Sequence, residues 1–419
     1  MQMKLRLNKE VFKSFPIKIK EVVGTKQFEI FIGIILLVGI VLRISNVSLF
    51  PKLSSSEMIF VENAGELIKN SWHLDPKFAP NSLYLYLLAG VGYLFDFNIL
   101  ALRVFQVSLS SIVLLFFYFF VKSWYNRQTA IFAGLFFAIN SFLVINSQLI
   151  DSKILIPLFI FLIFFVLSIA FRRKSKILFA LSGILAGIGL YTDTIFLFMF
   201  VLLFCLIIVN VKKNTKFISA YLSEIILFAF TFLLTIAPYI YYLPNFVDSI
   251  IKKFNPGSFG QFYLNLGESI PALFYRSPKT TIFNVGIEPI IDPFIAISFL
   301  CGITFTLFHL NKRKHVFLIA WLFLGLTMLG FLGINNLLNF YIILPPVIIF
   351  ASIIFDYILT NWSRTFPFNR QARISMALIF SVFLFMSFFY NYRYQFFAWR
   401  NDKTIKNQFN QIYIYDKNN

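Results

Sequence analysis

The sequence predicts an all-α protein that crosses a membrane many times. Three observations carry that reading. Hydrophobic residues make up 59% of the chain and charged residues 13%, against about 25% charged in soluble domains, and the mean hydropathy is +0.78. Apolar runs recur at the length of roughly 20 residues that a helix needs to cross the hydrocarbon core. Lysines and arginines gather in alternate links between those runs, the asymmetry that orients membrane proteins.

The first 27 residues carry seven Lys and Arg and precede an apolar run at 28–45. No small-residue cleavage site follows, so this run reads as a retained span and not as a removed signal. Further runs fall at 104–121, 129–146, 154–171, 177–191, 194–211, 218–242, 289–310, 316–333, 340–359 and 374–391, about eleven spans in all. With the N-terminus inside, the inward links hold Lys122 and Arg127, the cluster Arg172 to Lys176, Lys212 to Lys216, Lys312 to Lys314, and Arg364 to Arg373. Together with the N-terminus these contain more than half of the 37 basic residues. Most carboxylates before the tail take the other side. The net charge of +19 is therefore an orientation signal plus contact with anionic lipid, not a nucleic-acid surface.

The expected organisation is a cytoplasmic basic segment at 1–27, a membrane domain at 28–391 and a short extracytoplasmic tail at 392–419. Outer loops fall at 46–103 and 243–288, and the location is the plasma membrane. The run at 83–95 is too short to cross and reads as a surface helix of the first loop. Upstream of it, Val61, Ala64 and Ile68 share one helical face while Glu62, Glu66 and Lys69 take another, the pattern of a helix lying at an interface. Ser54-x-x-Glu57 has the form of a capping box.

Little of the usual chemistry is present. Cys205 and Cys301 lie inside apolar runs and suggest no disulfide or thiolate metal site. His73, His309 and His315 match no zinc spacing. What remains is charge at the outer face. Glu57 opens the first loop helix, Asp151 follows the third run, and Asp193 sits in the turn Tyr191-Thr192-Asp193-Thr194. Against the orientation trend, Arg103 opens the second run, Lys77 lies in the first loop, Lys153 neighbours Asp151, and the second loop holds Lys252, Lys253, Arg276 and Lys279. Cations mixed with carboxylates at one interface suit a phosphorylated amphiphile. Each also has a plainer reading: a helix cap for Glu57, a turn for Asp193, snorkelling toward lipid phosphate for Arg103.

Five stretches in order carry a family likeness. They are Leu42-Arg43 closing the first run, the carboxylate-led loop helix, Ala79 to Leu88 followed by Leu100-Ala101-Leu102-Arg103, a Ser-x-x-x-Asp segment ending at Asp151, and Asn339-Phe340-Tyr341-Ile342-Ile343-Leu344-Pro345-Pro346. Over roughly 43–357 the chain resembles the GT-C membrane glycosyltransferases, near the protein O-mannosyltransferases and the lipid A aminoarabinose transferase. The resemblance implies a polyprenyl-phosphate sugar donor, a lipid, glycan or protein acceptor, and transfer at the outer face. It also implies an Asp-Glu pair at the start of the first loop, with the Asp as catalytic base or acceptor-orienting group. Here Ser56-Glu57 stand at that place, Pro80-Asn81-Ser82-Leu83 replaces Pro-Pro-Leu, and Asn339 takes a position often held by Arg.

The expected site therefore has Glu57 as base with Asp151 second, and Arg103, Lys77, Lys153 and Asp193 as substrate contacts. No residue is assigned to a metal; a divalent ion is compatible with the site but not required. Two other functions are expected as alternatives: an inactive GT-C relative that binds or assembles, and a transporter of lipid-linked sugars. A transporter usually holds charge near the bilayer midplane, whereas here it crowds one face.

Overall fold

The structure, a computed structural model, describes the chain except for residues 1–16, 74–79, 214, 216, 239–242, 256–257, 278–281, 283, 286–287, 334–335 and 415–419. Lys77, Lys279 and the most N-terminal basic residues lie outside the described residues. The chain begins with α1 (Ile17–Ile44), β1 (Leu53–Ser54), α2 (Ser55–Lys69), α3 (Ser82–Leu94), α4 (Ile99–Trp124), α5 (Arg127–Ile139) and α6 (Ser141–Asn146). Next come α7 (Leu155–Arg173), α8 (Lys176–Gly189), α9 (Phe198–Lys213), α10 (Phe217–Ala220), α11 (Leu222–Ile236), α12 (Leu243–Phe254) and α13 (Phe259–Phe274). The last part holds α14 (Pro293–Phe308), α15 (Arg313–Leu332), α16 (Leu344–Thr365), α17 (Arg370–Arg393), a π-helix (Tyr394–Trp399), α18 (Lys403–Gln408) and β2 (Phe409–Gln411).

Each apolar run lies on a helix. Six helical stretches among the described residues are long and apolar enough to cross a membrane, and the remaining apolar helices are shorter. Helix length therefore supports a multi-pass membrane protein without yielding a count of eleven. The run at 129–146 is not one helix. At Asn140 the side-chain Oδ1 accepts from the Leu143 N–H at 3.1 Å and Nδ2 donates to the Ile290 carbonyl at 3.3 Å. This cap ends α5 and restarts the chain as α6. Pro345 and Pro346 open α16, where the missing N–H groups cost nothing.

Close backbone approach holds the bundle together, as expected where lipid removes the hydrophobic drive between helices. A Cβ at Gly183 on α8 would lie 2.4 Å from the Phe228 carbonyl oxygen of α11, and one at Gly302 on α14 would lie 2.0 Å from the Phe350 carbonyl oxygen of α16. Between these pairs Phe117, Phe120, Phe161, Phe164 and Trp321 form a buried aromatic core.

One end of the bundle is covered. α2 and α3 pack on each other and lie over it, and the Leu83 N–H donates to the Tyr191 carbonyl at 3.0 Å. The C-terminal segment folds back onto the same end. β2 pairs antiparallel with β1, with Leu53 opposite Gln411. Phe409 stacks on Phe50 at 4.1 Å, and Tyr413 covers Gly65, where a Cβ would not fit. Trp399 Nε1 donates to the Ile282 carbonyl at 2.8 Å, and Tyr394 accepts from the Val285 N–H at 2.8 Å. The tail thus binds both outer loops. Because β1 and β2 share a sheet, an even number of crossings separates them.

Candidate active site at the covered end

Two groups of charge lie at this end, and they differ in kind. The first is Glu57 with Arg103, each about 1% exposed. Glu57 is N3 of the capping box that the sequence predicts. Its Oε2 accepts from the Ser54 N–H at 2.9 Å, the Ser54 hydroxyl at 3.0 Å and Arg103 at 3.2 Å. Its Oε1 accepts from the Ile150 N–H at 3.1 Å. Arg103 donates to the carbonyls of Phe50 and Lys52 and lies over the Phe409 ring at 5.4 Å. Both expectations for this pair, base and donor-phosphate contact, meet a geometric obstacle. The two side chains face each other, their polar atoms are largely engaged, and neither opens to solvent.

What the pair does hold is the segment that carries Asp151. Glu57 fixes the Ile150 N–H, Gln106 Nε2 on α4 donates to the Asp151 carbonyl at 3.0 Å, and Tyr84 on α3 donates to Gln106 at 2.9 Å. Ser152 reaches Asn81 at 3.3 Å. Three elements thus set the backbone of one carboxylate. Asp151 itself is partly exposed and caps the 3-10 turn Ser152–Ile154, its Oδ1 accepting from the Lys153 N–H at 2.8 Å.

The second group is Asp151, Lys153, Asp193 and Lys253. Asp193 is buried, caps the 3-10 turn Thr194–Leu197, and pairs with Lys253 of α12 at 2.5 Å. Lys153, Asp193 and Lys253 lie close enough to act on the ionisation of Asp151, and the two lysines act likewise on Asp193. Burial pushes the Asp151 carboxyl above the ordinary carboxylate range, with the Lys153 ammonium opposing. Burial pushes Asp193 the same way, but the ammoniums of Lys253 and Lys153 outweigh it and hold this carboxyl below the ordinary range. The late segment joins the site as the 3-10 turn Leu337–Ile342, which packs against Ser152–Ile154.

Of the residues the sequence singles out, the structure brings Asp151, Lys153 and Asp193 together, sets Glu57 and Arg103 behind them, and does not describe Lys77. Lys253 was visible only as one of several cations in the second loop. Gln106 carried a signal that went unread, since it is a lone amide inside an apolar run.

Among the described residues no three His, Cys, Asp or Glu gather as a metal site. Asp151 and Asp193 are the two carboxylates nearest to one, and the Lys253 ammonium already occupies Asp193. The described residues offer no ready site for a divalent ion.

A sequence model of the family described as dolichyl-phosphate-mannose-protein mannosyltransferase matches residues 80–242. No curated protein matches the sequence. Among solved structures, the Archaeoglobus fulgidus oligosaccharyltransferase AglB, in complex with an inhibitory peptide and a dolichol-phosphate, superposes with a TM-score of 0.59 at 14% identity over 88% of this chain. The chain spans about half of that protein, 55% of its length. ArnT from Cupriavidus metallidurans bound to undecaprenyl phosphate gives a TM-score of 0.51 at 11% identity, over 92% of this chain and 77% of that one. A further structure of the archaeal enzyme, with 14% identity and a TM-score of 0.58 over 87% of this chain and 52% of that one, is a complex with Zn and sulfate.

Proposed function

We propose that this chain, which has the GT-C fold, transfers a sugar from a polyprenyl-phosphate donor to a hydroxyl of a lipid, glycan or protein acceptor at its covered, extracytoplasmic end. The observation that carries the reading is the divergence of two neighbouring carboxylates. When environments push a carboxylate pair apart, acid–base roles are separated. Asp151, raised and partly exposed, suits a proton acceptor. Asp193, kept ionised, suits an anchor for cations.

In the proposed step the acceptor oxygen attacks the anomeric carbon as Asp151 takes its proton. The bond from that carbon to the donor phosphate oxygen breaks, and the electron pair leaves on the polyprenyl phosphate. Lys153 and Lys253 neutralise the charge that grows there. Displacement from the opposite face inverts the anomeric configuration. Glu57 and Arg103 are positioning residues that hold the Asp151 segment. Support for the donor class comes from the two structural relatives, whose complexes contain dolichol-phosphate and undecaprenyl phosphate.

The test is sugar transfer by purified protein from a panel of radiolabelled polyprenyl-phosphate sugars, in parent and Asp151→Asn. Transfer by the parent that Asp151→Asn abolishes supports the reading; equal transfer by both removes Asp151 as base. One observation favours a second reading, that of a non-catalytic subunit binding lipid-linked sugar. Ser56, at the position of the family's Asp, is exposed beside Glu57, with its hydroxyl 3.2 Å from the Ser54 hydroxyl. Saturable donor binding without transfer from any donor would favour it, and transfer gained by Ser56→Asp would show the pocket intact.

A further inference from the structure

The opposite end of the bundle holds a cavity with no part in this chemistry. It has a volume of about 510 Å³ and opens between the ends of α4, α7, α9 and α15 and the short helix α10. Three cations line it: Arg172 from the last turn of α7, and Arg313 and Lys314 from the first turn of α15. Polar side chains come from Ser123, Ser168 and Asn210, and most of the remaining wall is apolar or aromatic, with Phe171 prominent. No carboxylate lines it.

The cations are poorly satisfied. Among the described residues, none of the three pairs with a carboxylate. Arg313 has an amide contact, to Asn210 at 3.0 Å, and the Lys314 ammonium rests over the Tyr125 ring at 4.8 Å. Asp356 on α16 lies outside the lining and accepts from Asn126 at 2.6 Å and Thr129 at 3.0 Å. The three positive groups share a half-apolar cavity with no carboxylate in its lining, so they repel one another, and a bound anion relieves that repulsion. The cavity walls belong to apolar, membrane-crossing helices. The anion that arrives there with hydrocarbon attached is a lipid phosphate.

We propose that this cavity binds the phosphate headgroup of an anionic phospholipid from the leaflet at the basic end. Arg172 and Arg313 donate to the phosphate oxygens in the forked geometry that guanidinium allows. Lys314 adds a point charge, and the apolar wall takes the glycerol backbone and the first methylenes of a chain. Basic pockets between membrane helices on the basic side of a protein bind lipid headgroups in this manner. The reading does not depend on the reaction proposed above, since it concerns the other end of the molecule.

The test is native mass spectrometry of the full-length purified protein, titrated with dioleoyl phosphatidylglycerol, with dioleoyl phosphatidylcholine, or with glycerol 3-phosphate as a soluble phosphate. Four proteins are compared, with thermal unfolding to confirm folding. They are the parent, R172Q/R313Q, Ser168→Phe, and the control R364Q/R373Q, which removes two exposed cations at the same end outside the cavity. Expected are preferential retention of phosphatidylglycerol by parent and control, and a loss of about tenfold or more in R172Q/R313Q, as for lost charge-assisted contacts. Ser168→Phe fills the cavity without changing charge and should lose retention too, which keeps the test valid if the double variant folds poorly. Equal retention of both lipids by the parent overturns the proposal. So does an equal loss in the control, which would mean diffuse surface charge. Glycerol 3-phosphate binding as tightly as the lipid would also overturn it, in favour of a soluble phosphate site.

Discussion

Glu57 with Arg103, and Asp151 with Lys153, Asp193 and Lys253, are both clusters of opposite charge at one end of one bundle. In sequence they look alike. In three dimensions the first is sealed and the second is not. Glu57 receives four donors and Arg103 donates to two carbonyls as well as to Glu57. Asp151 has one side-chain acceptance, from a backbone N–H, and a surface that solvent reaches. A charge pair whose hydrogen bonds are mostly made inside the protein, here all but Arg103 Nε among the described atoms, builds structure. A charge with capacity left over, on a rigidly held backbone, is available for chemistry.

The largest expected effect sharpens that contrast in rate. Asp151→Asn keeps the turn and removes the base, so turnover should fall by about 10²–10⁴-fold with the melting temperature unchanged. A loss of the same size in Glu57→Gln, with stability intact, would break the comparison by moving the base to the sealed pair.

Next comes stability. Removing one member of a buried ion pair leaves a lone charge and typically costs about 3–5 kcal/mol. Glu57→Gln keeps the cap, since Gln also serves at N3, but strands Arg103. It should therefore lower the melting temperature clearly, and Arg103→Met should do the same from the other side. The double variant should lose less than the sum of the singles, the signature of a coupled pair. Singles that unfold like the parent would contradict a structural role for Glu57 and Arg103.

A smaller effect belongs to Lys253. Lys253→Met removes one of two ammoniums proposed at the leaving phosphate. Loss of such a contact costs roughly 1.5–3 kcal/mol, or about 10- to 150-fold, and should appear in kcat/KM for the donor more than in folded yield. Unchanged donor kinetics would take Lys253 out of the site and leave it as a partner of Asp193 alone.

How much of this was legible in the sequence follows from the range of the interactions. Apolar length and the basic links are local signals, and they placed a helix at every apolar run. The capping box Ser54–Glu57 is also local and was readable. The break at Asn140 was not read, although its cap on the Leu143 N–H is local; the contact of its Nδ2 with the Ile290 carbonyl is the long-range part. The partnership of Glu57 with Arg103 spans 46 positions and that of Asp193 with Lys253 spans 60. Composition cannot say which cation meets which carboxylate, and hence which carboxylate is left available. The tail was read as a short tail. Its pairing with β1 depends on Phe50, Gly65 and Phe409 meeting in space. That pairing also bears on topology: an even number of crossings between β1 and β2 is what the reading with α3 at the surface requires, and α3 at 13 residues is only roughly 20 Å long.

The smallest expected effect concerns pH, and it separates Asp151 from Asp193. A base works only when deprotonated. The Asp151 carboxyl is held above the ordinary range by burial, so activity should be full above that raised pKa and fall as pH drops through it. Asp193 is held below the ordinary range by Lys253 and Lys153 against burial, so it stays ionised through the same window and adds no limb there. The acid limb of kcat/KM should therefore lie above the usual carboxylate range and have unit slope. Lys153 opposes the rise at Asp151, so removing its charge in Lys153→Met should move the limb to still higher pH. Measuring kcat/KM for the donor against pH in parent and Lys153→Met decides the matter. A limb at the ordinary carboxylate position, or one that moves to lower pH in Lys153→Met, would show that another group supplies the base.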